Sequence, residues 1–304
     1  MRLVIDGTNI LHIAYWTAKR VTTDFDDNRE KYISFFLNII RSYAKHFYPE
    51  ETIVCWDARE EGYKNFRKEN DENYKGNREF KSEIYSMQDK LEDILTSLGI
   101  RQMYPRTREA DDIMYWYAKI YDPGNCVIVS SDTDMYQLVD GSSNIIYDPR
   151  KKKEIDDRFL SAKFLVNNGK DFIIRKALKG DSADNIRGVY RIRKDRIKNI
   201  IEKLTEGKTI NDIVDEGILT EDESETFKKN LDLMSLDRLK DDKEEMAWYE
   251  EQASRDLEPC KDLFRQLCRE LGFEKMRNEA SSWVGYFNQT EETGIDLSKY
   301  ALSF

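Results

Sequence analysis

Histidine is scarce in this chain of 304 residues, which contains only His12 and His46. We expect both to be structural, and their scarcity argues against histidine acid–base catalysis and against zinc sites with histidine ligands. The four cysteines form no Cys-x-x-Cys pair, which favours reduced thiols in a cytosolic protein. No apolar run approaches the ~20 residues that span a bilayer. The amino terminus enters a predicted strand directly, without a signal-peptide layout, so we expect a cytoplasmic protein with no membrane segment.

The net charge is −10, yet basic residues are concentrated in separate stretches of the chain. These stretches are residues 59–81, residues 150–153 and residues 187–198. A polyanionic partner responds to the local distribution of charge rather than to the total. Charge runs are usually solvated faces, but here they accompany a cluster of carboxylates. The combination favours a protein that binds nucleic acid.

Acidic side chains stand at the ends of predicted strands and at the start of a predicted helix. They are Asp6 after residues 3–5, Asp57 after 53–56, Asp132 and Asp134 after 127–129, Glu109, Asp111 and Asp112 at the helix start, and Asp181 and Asp184 within 180–186. The ends of parallel strands converge on one edge of a sheet. Carboxylates gathered there repel one another unless cations neutralise them, and hard oxygen ligands suit Mg²⁺ or Mn²⁺. The pattern predicts a site for metal-assisted phosphate chemistry.

Two pairs of these aspartates carry expectations about the local backbone. Asp132 and Asp134 are two residues apart and would point the same way in an extended chain. Asp181 and Asp184 are three apart and would share one face of a helix. Ordinary loop or helix-cap chemistry also explains either pair alone, but it does not explain the whole set.

Strand-like and helix-like segments alternate through the first half of the chain. Strands are predicted at 3–5, 53–56, 100–104, 126–129 and 144–147, and amphipathic helices at 32–47 and 84–98. The alternation predicts an α/β fold with a parallel sheet flanked by helices. Residues 58–82 form an unusually long and strongly charged connection, which is either functional or disordered. After residue 159 the pattern becomes helical.

Five motifs occur in an order that is typical of one protein family. They are residues 4–9 (Val-Ile-Asp-Gly-Thr-Asn), 74–78 (Tyr-Lys-Gly-Asn-Arg), 109–112 (Glu-Ala-Asp-Asp), 130–134 (Ser-Ser-Asp-Thr-Asp) and 180–189 (Gly-Asp-Ser-Ala-Asp-Asn-Ile-Arg-Gly-Val). Over roughly residues 1–205 the chain resembles the flap endonuclease / 5′→3′ exonuclease family. It is most similar to the bacteriophage members, the T-even type ribonuclease H among them.

The resemblance implies a division of the chain into two regions. Residues 1–160 would form a PIN-like 5′ nuclease domain, with a helical arch at about 58–82 under which a single-stranded 5′ end passes. Residues 161–304 would form a helical region, with a helix–three-turn–helix DNA-binding module at about 173–205 and further helices at the carboxyl end.

The resemblance also implies roles for individual residues around two Mg²⁺ ions, with Mn²⁺ as a substitute. Asp6, Asp57, Glu109 and Asp111 would lie at the first ion, Asp132, Asp134 and Asp181 at the second, and Asp112 and Asp184 close by. Lys75 and Arg78 would hold the phosphate that is cut, and Tyr74 would stack on a base. The duplex would be bound through Arg187, Arg191, Arg193, Lys194 and Lys198.

The chain departs from the family pattern at Arg191 and Arg193, where the family usually has glycines. Glycine there lets backbone N–H groups approach phosphate and shapes a potassium site. We expect the two arginines to supply positive charge in place of that site.

The implied function is that of a structure-specific 5′ nuclease, a monomer that removes primers or flaps during replication from flapped DNA or RNA–DNA duplex. Two alternatives stay open: a PIN-like ribonuclease for single-stranded RNA, and a protein that holds branched DNA without cutting it. Residues 297–304 loosely resemble the tails by which replication proteins dock on a sliding clamp. A clamp or a single-strand-binding protein would be the partner in the replisome.

Overall fold

The computed structural model describes residues 1–23, 25, 29–58, 65–76 and 82–287. Its centre is a six-stranded sheet in the order β3-β2-β1-β4-β5-β6. The strands are β1 (Arg2–Asp6), β2 (Glu51–Cys55), β3 (Arg101–Met103), β4 (Cys126–Val129), β5 (Ile145–Asp148) and β6 (Lys153–Glu154). All neighbouring strands pair in parallel except β5 with β6. The predicted α/β class with a parallel sheet is confirmed.

The central strands are apolar at successive positions because both faces of the sheet are covered. In β1, Leu3 and Ile5 face one hydrophobic core while Val4 faces the other, and all three are fully buried. Register pairs Val4 with Ile53 on one side and with Ile128 on the other. The apolar runs of the sequence therefore mark strands that have no solvent-facing side.

Helices pack on both faces of the sheet. They are α1 (Gly7–Val21), α2 (Lys31–Phe47), α3 (Phe66–Asn70), α4 (Ser82–Tyr85), α5 (Gln88–Ser97), α6 (Ala110–Trp116), α7 (Asp157–Phe164), α8 (Gly169–Lys179), α9 (Lys194–Thr205), α10 (Ile210–Asp215), α11 (Glu221–Met234), α12 (Lys243–Ala253), α13 (Lys261–Glu270), α14 (Glu274–Asn278) and α15 (Ala280–Phe287). A hairpin of β7 (Gly180–Asp181) and β8 (Ile186–Arg187) joins α8 to α9. The predicted helix at 84–98 is interrupted between α4 and α5. Within the described ranges, no helix is long and apolar enough to cross a membrane.

The helices after residue 160 are distributed over both faces of the sheet. Helices α8, α9 and α11 belong to the core that includes Val4, together with α6. Helices α13 and α15 return to the opposite core, where Phe264 and Trp283 are buried with residues of α1 and α2. The predicted boundary at residue 160 stays a prediction. The carboxyl-terminal helices contribute to the same cores as the sheet.

The step from β1 into α1 constrains Gly7. A Cβ at this position would lie 2.6 Å from Val54 Cγ1 and 2.9 Å from the Cys55 carbonyl oxygen. We therefore expect Gly7→Ala to lower the free energy of unfolding by about 1–3 kcal/mol, because the packed core must shift. In α15, Gly285 has open space around its Cβ position, and Gly285→Ala should stabilise by about 0.5–1 kcal/mol. Urea unfolding measures both, and equal midpoints would contradict the expected opposite signs.

Candidate active site

A cavity of about 410 Å³ lies at the carboxyl ends of β1, β2 and β4. Seven of the nine predicted carboxylate ligands line it: Asp6, Asp57, Glu109, Asp111, Asp132, Asp181 and Asp184. Its other lining residues include Thr8, Asn9, His12, Lys75, Ser131, Thr133 and Arg150. Parallel pairing brings the strand ends to one edge, so residues far apart in the chain share this cavity. His12 also contacts Tyr85, with Nε2 3.1 Å from the hydroxyl oxygen.

Asp6, the last residue of β1, is buried at the edge of the cavity. Its Oδ1 accepts a hydrogen bond from the Asn9 N–H at 2.9 Å, which caps α1, and its Oδ2 accepts one from Ser130 Oγ at 2.7 Å. Burial, with repulsion from Asp57, raises the pKa of Asp6 to about 7. The cavity therefore contains negative charge that the surrounding protein compensates only in part.

Arg67 is a buried cation that the sequence did not distinguish from its neighbours. Its Nη1 lies 2.9 Å from Glu109 Oε2 and 2.8 Å from Asp112 Oδ2, and 3.5 Å from Asp111 Oδ1. Its Nε donates to the carbonyl oxygen of Leu233, in the last turn of α11, at 3.0 Å. Burial alone would lower the pKa of Arg67, but the three carboxylates raise it well above its ordinary value. This guanidinium therefore holds a permanent charge beneath the cavity.

Lys75 reaches the same cavity from the motif at residues 74–78. Its Nζ donates to Glu109 Oε1 at 2.6 Å, and its backbone N–H donates to the Asp184 carbonyl oxygen at 2.9 Å. Its backbone adopts a φ of 53°, in the left-handed region. Glu109 receives hydrogen bonds from both sides, and although burial acts to raise its pKa, Lys75 and Arg67 lower that pKa to about 2. The second predicted catalytic cation, Arg78, lies outside the described residues.

Tyr74 does not present its ring to a base in this arrangement. The side chain is 3% exposed, and its hydroxyl donates to Glu109 Oε2 at 2.9 Å. In this structure the apolar ring belongs to the core around Val4, and base stacking by Tyr74 stays a prediction. A stacking role would require the ring to leave this position.

Two of the predicted ligands, Asp112 and Asp134, lie behind the lining of the cavity. Asp112 is 1% exposed and accepts from the Glu109 N–H at 3.0 Å, in a capping box at the start of α6. Asp134 is paired with Lys176, whose Nζ also lies 2.8 Å from Asp181 Oδ2. Lys176 sits on the buried side of α8, and nothing in its local sequence marks it as part of this site.

The local backbone differs from both sequence expectations. Asp132 and Asp134 do not lie in an extended chain, because Asp132 caps a 3₁₀ helix at Thr133–Leu138 through its Oδ1 and the Asp134 N–H, 2.9 Å apart. Asp181 and Asp184 do not share a helix face either. Gly180, with a φ of 73°, ends α8 so close to Gly188 that any Cβ would lie 2.3 Å from the Gly188 nitrogen. The chain then turns through the β7–β8 hairpin, which brings both aspartates to the cavity.

The hairpin and the start of α9 present the predicted duplex-binding cations. Arg187, Arg191, Arg193, Lys194 and Lys198 are all exposed. Lys198 lies 3.6 Å from Glu202, while the other four have no ion pair within the ranges that the structure describes. Arg191 adopts a φ of 50° in place of the usual glycine, and its guanidinium lies 4.9 Å from the ring centre of Tyr190. That these arginines replace a potassium site stays a prediction.

The oxygen-rich lining fits a hard divalent ion, although it is not a preformed coordination shell. In the described part of the chain, no three histidine, cysteine or acidic side chains are arranged to hold an ion as they stand. Glu109 and Asp181 are instead paired with Lys75 and Lys176. Asp111 Oδ1 is buried and accepts no hydrogen bond, and burial raises the pKa of Asp111 well above its ordinary value despite Arg67. A divalent ion bound in the cavity would offset the negative charge of its ionised carboxylates.

Comparison with protein-family models matches residues 1–165 to the model described as "5′-3′ exonuclease, N-terminal resolvase-like domain". The 5′-3′ exonuclease of Mycoplasmopsis pulmonis is 29% identical over 203 residues, which cover 66% of this chain and 65% of that protein. That of Buchnera aphidicola is 30% identical over 212 residues, 68% of this chain and 72% of that protein. The flap endonuclease of Escherichia phage T5 is 27% identical over 230 residues, 70% of this chain and 72% of that protein. The chain belongs to the 5′-3′ exonuclease family, and the predicted resemblance is confirmed.

Solved structures share the fold at lower identity. A phage T5 protein crystallised with metal ions has a TM-score of 0.59 and 22% identity, covering 90% of this chain and 98% of that one. A phage T5 flap endonuclease in a product complex with DNA and metal ions has a TM-score of 0.60 and 21% identity, covering 89% of this chain and 99% of that one. Among the sequence relatives, DNA polymerase I of Lactococcus lactis matches this chain over 22% of that enzyme's length. The chain spans 65% of the length of the Mycoplasmopsis pulmonis exonuclease.

Arg67 should be a large single contributor to stability at this site. Arg67→Met leaves Asp112 buried without a cation and leaves Glu109 paired with Lys75 alone, so we expect the free energy of unfolding to fall by about 3–5 kcal/mol. Lys68→Met removes an exposed charge from the next position and should change it by less than about 0.5 kcal/mol. Urea unfolding at neutral pH compares the two. Adding Asp112→Leu to Arg67→Met should recover part of the stability, and no recovery would mean that the ion pair is not the source of the effect.

Proposed function

We propose that this protein is a structure-specific 5′ nuclease that depends on divalent metal ions and hydrolyses phosphodiesters near the junction of a duplex and a 5′ single strand. One observation carries the proposal: carboxylates from five separate segments of the chain line a single cavity at the sheet edge. The exposed cations of the β7–β8 hairpin and α9 add a surface for the phosphates of a duplex.

The proposed cofactors are two Mg²⁺ ions, for which Mn²⁺ would substitute. Asp6, Asp57, Glu109 and Asp111 would hold one, and Asp132 and Asp181 the other, with Asp184 nearby. When bound, such ions activate water and stabilise the leaving 3′-oxygen. Asp134 and Asp112 would act indirectly, by holding Lys176 and Arg67. These two cations in turn position the proposed ligands Asp181 and Glu109. Solved relatives from phage T5 were crystallised with metal ions, which supports this part of the proposal.

Lys75 and Arg78 would hold the phosphate that is cut. In the structure Lys75 donates to Glu109. An ion bound by Glu109 would compensate that carboxylate, which leaves the Lys75 ammonium available to offset charge that grows on the phosphate in the transition state. A protein general base is then unnecessary, in keeping with a chain that has two histidines.

The proposed task is removal of RNA primers or DNA flaps, including ribonuclease H-type cleavage of RNA–DNA duplex. A solved relative, human GEN1 in complex with Holliday junction DNA, shares the fold with a TM-score of 0.52 at 12% identity. A sliding clamp or a single-strand-binding protein is the proposed partner of the tail at residues 297–304, which lies outside the described residues.

The experiment that tests the function is incubation of the protein with a 5′-labelled flap duplex in Mg²⁺, with and without chelator. Cleavage near the junction that the chelator abolishes supports the proposal. Cleavage of unstructured RNA but not of the flap would favour the single-strand ribonuclease. Flap binding without cleavage in either Mg²⁺ or Mn²⁺ would favour the non-cutting DNA-binding protein.

Asp132 should be essential for cleavage and dispensable for duplex affinity. Asp132→Asn removes a charge from the cavity and so weakens the hold on a metal ion, and we expect single-turnover cleavage to fall by roughly 100-fold or more. Flap affinity, measured by fluorescence anisotropy, should change little. Asp157→Asn, at an exposed position on α7, is the matched control. Undiminished turnover by Asp132→Asn would remove Asp132 from the metal site.

The arginines of the loop before α9 should set the salt dependence of binding. Arg191→Ala combined with Arg193→Ala should reduce the slope of log affinity against log salt by roughly 0.9 for each phosphate that the variant no longer neutralises. The control is Lys261→Ala with Arg269→Ala, which removes the same charge from exposed positions on α13. Duplex affinity is measured across a salt series. A slope equal to that of the control variant would show that the two arginines do not contact the duplex.

A further inference from the structure

Arg150 lines the acidic cavity, and neither the family motifs nor the proposed metal site assigns it a role. It follows β5, in the turn that leads to β6. The side chain is exposed, and within the described ranges it forms no ion pair and no hydrogen bond. Its guanidinium therefore retains its five N–H donors and its full charge.

The other cations that the structure describes at this cavity are already engaged. Arg67 is paired with Glu109 and Asp112, and Lys75 is paired with Glu109. Lys176 is paired with Asp134 and Asp181. Each of these cations offsets carboxylates of the protein. Arg150 differs from them because no carboxylate among the described residues neutralises it beside the same cavity.

The turn that carries Arg150 is held from below by Asp148, which is fully buried. Asp148 Oδ1 accepts from the backbone N–H groups of Arg150 at 2.9 Å and of Lys151 at 3.0 Å. Asp148 Oδ2 accepts from the Tyr136 hydroxyl at 2.9 Å and from the Lys151 ammonium. Burial acts to raise the pKa of Asp148, but its hydrogen bonds, first from Lys151, lower it below the ordinary value. Asp148 therefore supports the turn as a charged carboxylate, and both of its oxygens accept hydrogen bonds.

Through Tyr136, Asp148 also connects the turn that carries Arg150 to the segment that carries Asp132. Tyr136 belongs to the 3₁₀ helix Thr133–Leu138, which Asp132 caps. One rigid unit thus carries both the Asp132 carboxylate and the backbone of Arg150. Because the backbone of Arg150 is held beside the cavity, only its side chain has to become ordered when the guanidinium binds an anion.

A nucleic acid strand that crosses the cavity brings a negative charge at every phosphate. The cavity's carboxylates repel the phosphates next to the one being cut, since bound ions act mainly on the reacting group. A guanidinium matches phosphate geometry with two parallel hydrogen bonds. We propose that Arg150 binds a phosphate of the substrate strand adjacent to the scissile phosphate and so fixes the register of the strand over the carboxylates. The inference rests on the proposed nuclease function.

The test is single-turnover cleavage of a 5′-labelled flap by the full chain. Arg150→Ala should slow cleavage by about tenfold to a hundredfold, as expected when hydrogen bonds to a charged group are removed. Arg150→Lys should recover part of the rate, because lysine keeps the positive charge but lacks the paired N–H donors of the guanidinium. Arg158→Ala removes an exposed arginine on α7 that does not line the cavity, and it should match the wild-type rate. A wild-type rate for Arg150→Ala would overturn the proposal.

A second measurement identifies the phosphate that Arg150 binds. Substrates carry one neutral methylphosphonate at each phosphate near the cut in turn. At one position, the methylphosphonate and Arg150→Ala together should cost no more than either alone, whereas at the others their effects should multiply. Multiplied effects at every position would overturn the proposal. If the wild-type protein cuts no flap, the nuclease function fails separately, and the same cycle read from flap affinity still decides whether Arg150 contacts a phosphate.

Discussion

Repulsion between carboxylates at one edge of a parallel sheet is the constraint on which the rest of this structure depends. The strand ends place Asp6, Asp57 and Asp132 around one cavity. Burial there favours the neutral form of an acid, as the raised pKa of Asp6 shows for a group that is buried and faces Asp57. The fold tolerates the arrangement because Arg67 and Lys176 lie beneath it as buried counter-charges. Removing one partner of such a pair leaves a buried charge without compensation, which destabilises more than replacing both partners by apolar residues.

The acidic residues form two layers, and these counter-charges contact both. Asp112 and Asp134 are held by Arg67 and Lys176 and do not line the cavity, whereas Glu109 and Asp181 pair with the same two cations and do line it. Lys75 lies between the layers, since it donates to Glu109 and also lines the cavity. A site of this kind sacrifices some stability for function, because an apolar edge would cost less to bury. Bound divalent ions would offset the remaining negative charge of the cavity.

The carboxyl-terminal region matters because it fixes the acidic cavity and the exposed cations near α9 relative to each other. Asn230 of α11 is buried, and its Nδ2 donates to the carbonyl oxygens of Ala177 and Arg187, each at 2.8 Å. The Leu233 carbonyl accepts from Arg67 beneath the cavity. One helix therefore contacts α8, the β7–β8 hairpin and the buried cation. The exposed cations at the start of α9 are therefore held at a defined distance from the carboxylates.

The sequence by itself determined the parallel α/β class and seven carboxylates of the cavity, because apolar runs mark buried strands and parallel strand ends converge. Lys75 was also expected at the site, but only the tertiary structure decided that Arg67 and Lys176 belong to it. Arg67 and Lys176 look like ordinary charged residues of amphipathic segments, and their roles come from side chains distant in the chain. The tertiary structure also placed the Tyr74 ring in the core and turned Asp181 and Asp184 through a hairpin instead of along a helix. Local pattern records which side chains are apolar or charged, whereas pairing between charges depends on distances that exist only after the chain has folded.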